Sequence, residues 1–479
     1  MTRSQFLLTA AAPLLAQSKK RNLVFILIDD HRFDMMSCLG HPFLKTPNID
    51  RLAQGGVLFQ NAFVTTSLCS PSRASILTGQ YVHAHGVTDN VSAFPSGLTT
   101  FPQALQKHGY KTALIGKWHM GGDSDEPRPG FDRWISFRGQ GAYRDPVFNF
   151  DGKQRKVEGY VTDIITEESL RFIRENAARP FLLYMAHKGV HAEFLPAERH
   201  KHLYSDVAIP EPKSMANTEE NYRGHPDWVR RQRDSWHGVD GMYNKTTDFD
   251  QFYRGYCRTL MAVDESVGAI RKELEDKRLL NDTLIVFMGD NGFQFGEHGL
   301  IDKRTMYEAS IRVPMIAHCP DLFAGNRRTD GMALNIDIAP TLLDAAGAPP
   351  MPNMHGRSLL PLLQGKASPA AGNWRKEFVY EYYWERDFPQ TPTVVGLRTD
   401  RYSFMQYHGI WDLDELYDIQ ADPDQMKNLM AQVRTTTQGG RLFQRIQDPA
   451  LKALVTDFQN RLWKTLAETG GRREPTWSK

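Results

Sequence analysis

The sequence predicts an α/β protein, a large mixed sheet sandwiched by helices, followed by a smaller α+β unit. Three observations predict it. Short, almost wholly apolar runs recur along the chain, longer amphipathic stretches separate them, and the texture changes after about residue 365. Apolar runs that do not alternate belong to strands covered on both faces, so helices are expected above and below the sheet.

In order, the strands are expected at residues 23–28 (LVFILI), 112–115, 180–185 (PFLLYM), 283–288 (TLIVFM) and 313–317. Helices are expected at 72–77, 101–107, 163–176, 253–277 and 337–345, mostly between those runs. Residues 188–250 carry many charges, aromatics, His and Pro with little periodicity, which reads as a surface insertion. Residues 20–365 would then form the main domain. From 370 to 479 a second unit is expected, with strands at 376–384, 393–399 and 402–407 and a closing helix at 449–468.

Composition excludes several classes. With 58 Lys+Arg against 56 Asp+Glu the formal net charge is +2, and no basic run of five appears, so nucleic acid is not an expected partner. Cys38, Cys69, Cys257 and Cys319 are too sparse for a disulfide scaffold and lack zinc-ligand spacing. No segment of about 18 uncharged apolar residues follows the N-terminus, so an integral membrane protein is not expected. Residues 6–16 (FLLTAAAPLLA), behind Arg3, read as an export signal within residues 1–17, or else as an N-terminal extension of a cytosolic protein. The export reading places the protein in the periplasm or outside the cell.

Ligands in open α/β sheets gather at the carboxyl ends of strands. Asp29 and Asp30 follow the first run, Lys117 and His119 the second, His187 the third, and Asp290 and Asn291 the fourth. Two acidic pairs remote in sequence offer hard oxygen ligands, which suit Ca²⁺ or Mg²⁺ better than zinc. The string Cys69-Ser-Pro-Ser-Arg73-Ala-Ser-Ile-Leu-Thr-Gly79 places a cysteine where Pro71 opens a helix, and Arg73 adds a charge one turn on.

That string resembles the motif of the type I, formylglycine-dependent sulfatases of the alkaline phosphatase superfamily. Gly116-Lys-Trp-His119, Asp302-Lys303-Arg304 and His187-Lys-Gly-Val-His191 resemble further family elements. The resemblance implies that a maturation enzyme oxidises Cys69 to formylglycine. It further implies that Asp29, Asp30, Asp290, Asn291 and the modified Cys69 hold one divalent cation, usually calcium, with magnesium the alternative. In the family's reaction one hydroxyl of the hydrated aldehyde attacks sulfur and the other later expels sulfate. Arg73, Lys117 and Lys303 would offset charge on the transferring group, His119 would act as base, and His187 or Lys303 would protonate the leaving oxygen. His191, His85 and His298 are the expected substrate contacts.

Residues 81–90 (YVHAHGVTDN) and 187–200 are similar to stretches of carbohydrate sulfatases, N-acetylglucosamine-6-sulfatases in particular, which implies a sulfated glycan substrate. Trp228, Trp236 and Arg230 of the insertion are candidates for sugar stacking or for an oligomer contact. Two other readings accompany this one: a phosphodiester or phosphonate monoester hydrolase of the same superfamily, and a non-catalytic sulfated-glycan binding protein. With Cys69 consumed, Cys38, Cys257 and Cys319 are an odd set, expected as small buried residues.

Overall fold

The computed structural model describes residues 20–122, 124–410, 412–438 and 441–471; the expected export signal lies outside them. A ten-stranded sheet forms the centre. Its strands are β1 (Asn22–Ile28), β2 (Val57–Phe59), β3 (Lys111–Gly116), β4 (Arg133–Ser136), β5 (Val147–Phe150), β6 (Lys153–Lys156), β7 (Phe181–Ala186), β8 (Thr283–Gly289), β9 (Met315–His318) and β10 (Arg327–Thr329), in the spatial order β10-β2-β9-β8-β1-β7-β3-β4-β5-β6. From β8 to β4 the neighbours run parallel; β9 and the β5–β6 hairpin run antiparallel to theirs, so the sheet is mixed.

The helices that bear on the site are α1 (Pro47–Gly55), α2 (Cys69–Thr78), α3 (Phe101–Lys107), α4 (Val161–Asn176), α5 (Phe249–Asp276), α6 (Ile338–Ala345) and α7 (Pro449–Glu468). Successive strand side chains point to opposite faces, so β1 feeds two cores. Val24, Ile26 and Ile28 pack with Ile49 of α1, Ile165 of α4 and Leu260 of α5. Leu23, Phe25 and Leu27 pack with Ile76 of α2, Phe101 of α3 and Leu342 of α6. This two-sided burial is why all seven residues of β1 are apolar or enclosed.

A second, antiparallel sheet holds β11 (Glu377–Tyr382), β12 (Thr393–Thr399), β13 (Tyr402–His408) and β14 (Glu415–Asp418) in sequence order. Tyr380, Leu397 and Leu416, with Phe458 of α7, belong to the same core as Leu23 and Ile76. The C-terminal unit therefore shares its apolar interior with one face of the large sheet. Residues 188–250 are not featureless: short helical turns run through them, and Trp228 and Val229 are buried. Among the described residues, no helix is long and apolar enough to cross a membrane. All four cysteines are free; Cys257 and Cys319 are buried and Cys38 is half-buried.

Candidate active site

The carboxyl edge of β8, β1, β7 and β3 gathers the polar groups into one cluster. Backbone bonds lock the four strand ends together. Asp290 N donates to Ile28 O at 2.9 Å, Asp29 N to Gly189 O at 3.2 Å, Val190 N to Asp29 O at 2.8 Å and Lys117 N to Ala186 O at 2.8 Å. Gly116 makes the last approach possible: it sits at φ +117°, and a Cβ there would lie 1.8 Å from Ala186 O. Asp30, His119, Asp302 and Arg304 also have positive φ, a strained backbone for such side chains and one that concentrates at functional sites.

Cys69 opens α2, a helix buried on every side, which explains why its sequence shows no amphipathic stripe. Its thiol donates to Asp29 Oδ1 at 3.3 Å, and the next amide, Ser70 N, is capped by Asn90 Oδ1 at 3.0 Å. Burial, reinforced by the Asp29 carboxylate, pushes the thiol well above its usual range. As an unmodified cysteine it is therefore a poor nucleophile. Arg73, one turn on, reaches Asp290 Oδ2 at 2.8 Å and donates to Lys117 O at 2.7 Å, tying α2 to the ends of β8 and β3.

Lys117 lies on Asp29 and Lys303 on Asp30. Burial raises the Asp29 carboxyl, but Lys117, His191, Arg73 and Lys303 together hold it well below the usual range. Asp30 goes the other way, up to about 7, because burial and the neighbouring Asp29, Asp302 and Asp290 outweigh Lys303. Burial penalises the Lys303 ammonium, yet Asp30 holds it protonated far above neutrality. The His119 ring stays neutral through burial and the Lys117 charge, with Ser70 Oγ at 3.4 Å from its Nδ1. Burial and Lys117 bring Lys188 down to about 8.

Asp29, Asp30 and Asp290 bring carboxylate oxygens within 4.8 Å of one another. Asn291 donates to Asp30 Oδ1 at 2.8 Å, while its own Oδ1 is buried without a partner. Three carboxylates and an orphaned amide oxygen fit a hard divalent cation. A second group, Asp29, Cys69 and His191, satisfies the same distance, so the cysteine and that histidine share the cation's neighbourhood.

The histidines divide differently from expectation. His187 is not brought into the cluster: its Nε2 meets Ser266 of α5 at 3.2 Å, and burial pushes it down to about 3. Strand alternation is the reason, because His187 continues β7 toward α4 and α5 while the cluster lies on the other side. His191 is the histidine of this segment that arrives there, 4.0 Å from Asp30 Oδ2. His85 is held inside the fold by Ser75 Oγ at 3.0 Å and the Val87 amide at 3.1 Å. His298 packs 4.2 Å from the Tyr307 ring and lines a cavity of about 650 Å³ whose walls include none of the acidic cluster. Both rings are thus engaged by the fold's own residues. Trp228 is buried, and Arg230 pairs with Glu219 at 2.6 Å; of the insertion's two tryptophans, Trp236 is the exposed one, at 43%, with its ring set against Tyr243 at 5.4 Å.

Sequence reasoning missed Gln140, whose Oε1 accepts from Lys117 at 2.5 Å, and Tyr143, whose hydroxyl donates to His191 O at 2.6 Å. Neither lies at a strand end or in a motif. Asn90 ends the 81–90 stretch, but its capping role needs the fold to bring it to α2.

Residues 21–348 match the family described as Sulfatase, and residues 296–452 match the one described as N-sulphoglucosamine sulphohydrolase, C-terminal. An N-acetylglucosamine-6-O-sulfatase of Bacteroides thetaiotaomicron is 33% identical over 92% of this chain and 88% of its own. The human N-acetylglucosamine-6-sulfatase is 29% identical over 86% of this chain and 82% of its own. A protein solved in complex with its substrate D-glucosamine-2-N,6-O-disulfate superposes with a TM-score of 0.83 at 31% identity, covering 94% of this chain and 98% of the other.

Proposed function

The chain belongs to the sulfatase family and is a sulfuric ester hydrolase, and from that premise we propose that it removes the 6-O-sulfate of a glucosamine-type residue in a sulfated glycan. The observation that carries the reading is the position of Cys69. It stands at the head of a buried helix, against Asp29, inside a ring formed by Arg73, Lys117 and Lys303. The two N-acetylglucosamine-6-sulfatase relatives and the disulfated glucosamine complex support this choice of sugar and position.

The hydrate of a formylglycine at residue 69, made by a maturation enzyme, would supply two hydroxyls on one carbon, and a divalent ion, calcium in this reading, would supply a Lewis acid held by Asp29, Asp30, Asp290 and Asn291. The chain's own residues do the rest. Arg73, Lys117 and Lys303 stabilise the spread negative charge of a sulfo group in transfer, in a site too dry for water to do so. His119, kept neutral by burial and Lys117, takes a proton. The leaving alkoxide receives its proton on the side of Lys303, held charged by Asp30, and His191 beside it. His187 has no part in this scheme.

The export reading of residues 6–16 rests on their composition and brings the enzyme to the compartment where sulfated glycans are met. The test of substrate is release of sulfate from defined sulfated mono- and disaccharides by the matured protein. N-acetylglucosamine 6-sulfate and its 2-N-sulfated analogue are expected to lead, and a large preference for an aryl phosphodiester would replace the sulfatase reading with the phosphodiesterase one.

A further inference from the structure

Every other buried cation of the site is neutralised by the protein itself. Arg73 has Asp290, Lys117 has Asp29, Lys303 has Asp30, and Arg304 has Asp302 and Glu385. Lys188 is 4% exposed and, among the described residues, its ammonium has neither a hydrogen bond nor a carboxylate at ion-pairing distance. Its contact is the face of Tyr143, 4.5 Å from the ring centroid, which offsets less than an ion pair would. Tyr143 is itself fixed, donating to His191 O at 2.6 Å.

Lys188 is also aimed. It follows β7 directly after His187, and its ammonium lies over Tyr143, whose hydroxyl holds the backbone of His191 beside Asp30. The residues after it, Gly189 and Val190, exchange backbone bonds with Asp29. The charges that act on it are Lys117, Asp29, Asp30 and the exposed Glu193, none of the three carboxylates at ion-pairing distance. With Asp29, Asp30 and Asp290 already matched by Arg73, Lys117 and Lys303, Lys188 is a positive charge in excess. An unpaired charge is costly to bury, and this one is near enough to Asp29 and Asp30 to interact with both.

We propose that Lys188 binds the sulfo group of the substrate directly, as a further cation on the group that is transferred. The inference rests on the sulfatase reading. It assigns the contact to the reacting group, not to a second anionic substituent elsewhere on the sugar.

The test uses the full, matured chain as parent, Lys188→Met, which keeps the stem over Tyr143, and Lys188→Arg, which keeps the charge. Measured are kcat/KM on N-acetylglucosamine 6-sulfate and on a small aryl sulfate, inhibition by inorganic sulfate, and thermal unfolding. Lys188→Met is expected to lower kcat/KM about 10- to 100-fold on both substrates alike, and to weaken sulfate inhibition by a similar factor, as losing one charged hydrogen bond implies. Unfolding is expected to be unchanged or later, and Lys188→Arg to recover most of the activity. Unaltered sulfate inhibition in Lys188→Met overturns the proposal, as does a loss confined to sugars carrying a second anionic group. A parent that releases no sulfate overturns the sulfatase reading and this inference together; an active parent with an equally active Lys188→Met overturns this inference alone.

Discussion

Replacing Arg73 by alanine tests whether the site is held together by its own charges. The side chain is 1% exposed, pairs with Asp290 at 2.8 Å and donates to Lys117 O at 2.7 Å. Its removal leaves a carboxylate and a carbonyl buried without that partner. Breaking a buried pair costs about 3–5 kcal/mol, which at about 1 °C per kcal/mol for a chain of this length lowers the unfolding temperature by roughly 3–5 °C. The measurement is thermal unfolding by circular dichroism in a chelator, then with calcium. The deficit is expected to shrink with calcium, because a cation on Asp290 replaces part of the lost charge. In the matured enzyme kcat should fall about 10²- to 10³-fold, the effect of losing one donor to a developing anion. Arg73→Lys should fall between, since it keeps a charge without the fork. An Arg73→Ala protein that unfolds in chelator within about 1 kcal/mol of the parent and turns over within tenfold of it would refute the reasoning.

His191→Asn is expected to lower kcat by about 10²- to 10⁴-fold while His187→Gln stays within about threefold, and the opposite order in steady-state assays would return the role to His187. Chelator is expected to abolish turnover and lower the unfolding temperature, with calcium restoring both; full activity after exhaustive metal removal would contradict the reading of Asp29, Asp30, Asp290 and Asn291. His83 gives a pH dependence of stability. Its Nδ1 meets Glu381 at 2.9 Å and its Nε2 the Thr469 carbonyl at 3.1 Å, joining residues 81–85 to the C-terminal unit. Burial opposes its charge, but Glu381 prevails and raises its pKa. A raised folded value means that the clamp contributes fully below the unfolded value of about 6.5 and is lost as pH rises through the folded one. The destabilisation caused by His83→Gln in urea should therefore be larger near pH 6 than near pH 9, and a cost independent of pH would show that His83 is neutral there.

Much of this fold was legible because β1, β7 and β8 are buried on both faces, which leaves an unbroken apolar run in the sequence. β6 (KQRK) is fully exposed at the sheet edge and is held only by its register with β5, so its sequence carries no burial signal. β14 is buried but only four residues long, too short a run to stand out as a strand. At the site, strand ends located the acidic pairs and Lys117 because a chain leaving a parallel strand exposes its next polar residues on one edge. Spacing did not say which side of the sheet a residue takes, and that is where His187 and His191 were exchanged. The insertion's Trp228 looked available because its burial comes from Tyr407, nearly two hundred positions away in the chain, at a ring distance of 5.4 Å. His85 and His298 sit near motifs in sequence, but Ser75, Tyr307 and His225 occupy them.

Sulfate ester hydrolysis through residue 69 is open to direct test. The most direct measurement is sulfate released from N-acetylglucosamine 6-sulfate by protein whose residue 69 has been shown by peptide mass to carry the aldehyde, beside a folded Cys69→Ala protein. Sustained release by the first and none by the second is the expected result. Comparable release by Cys69→Ala would contradict it.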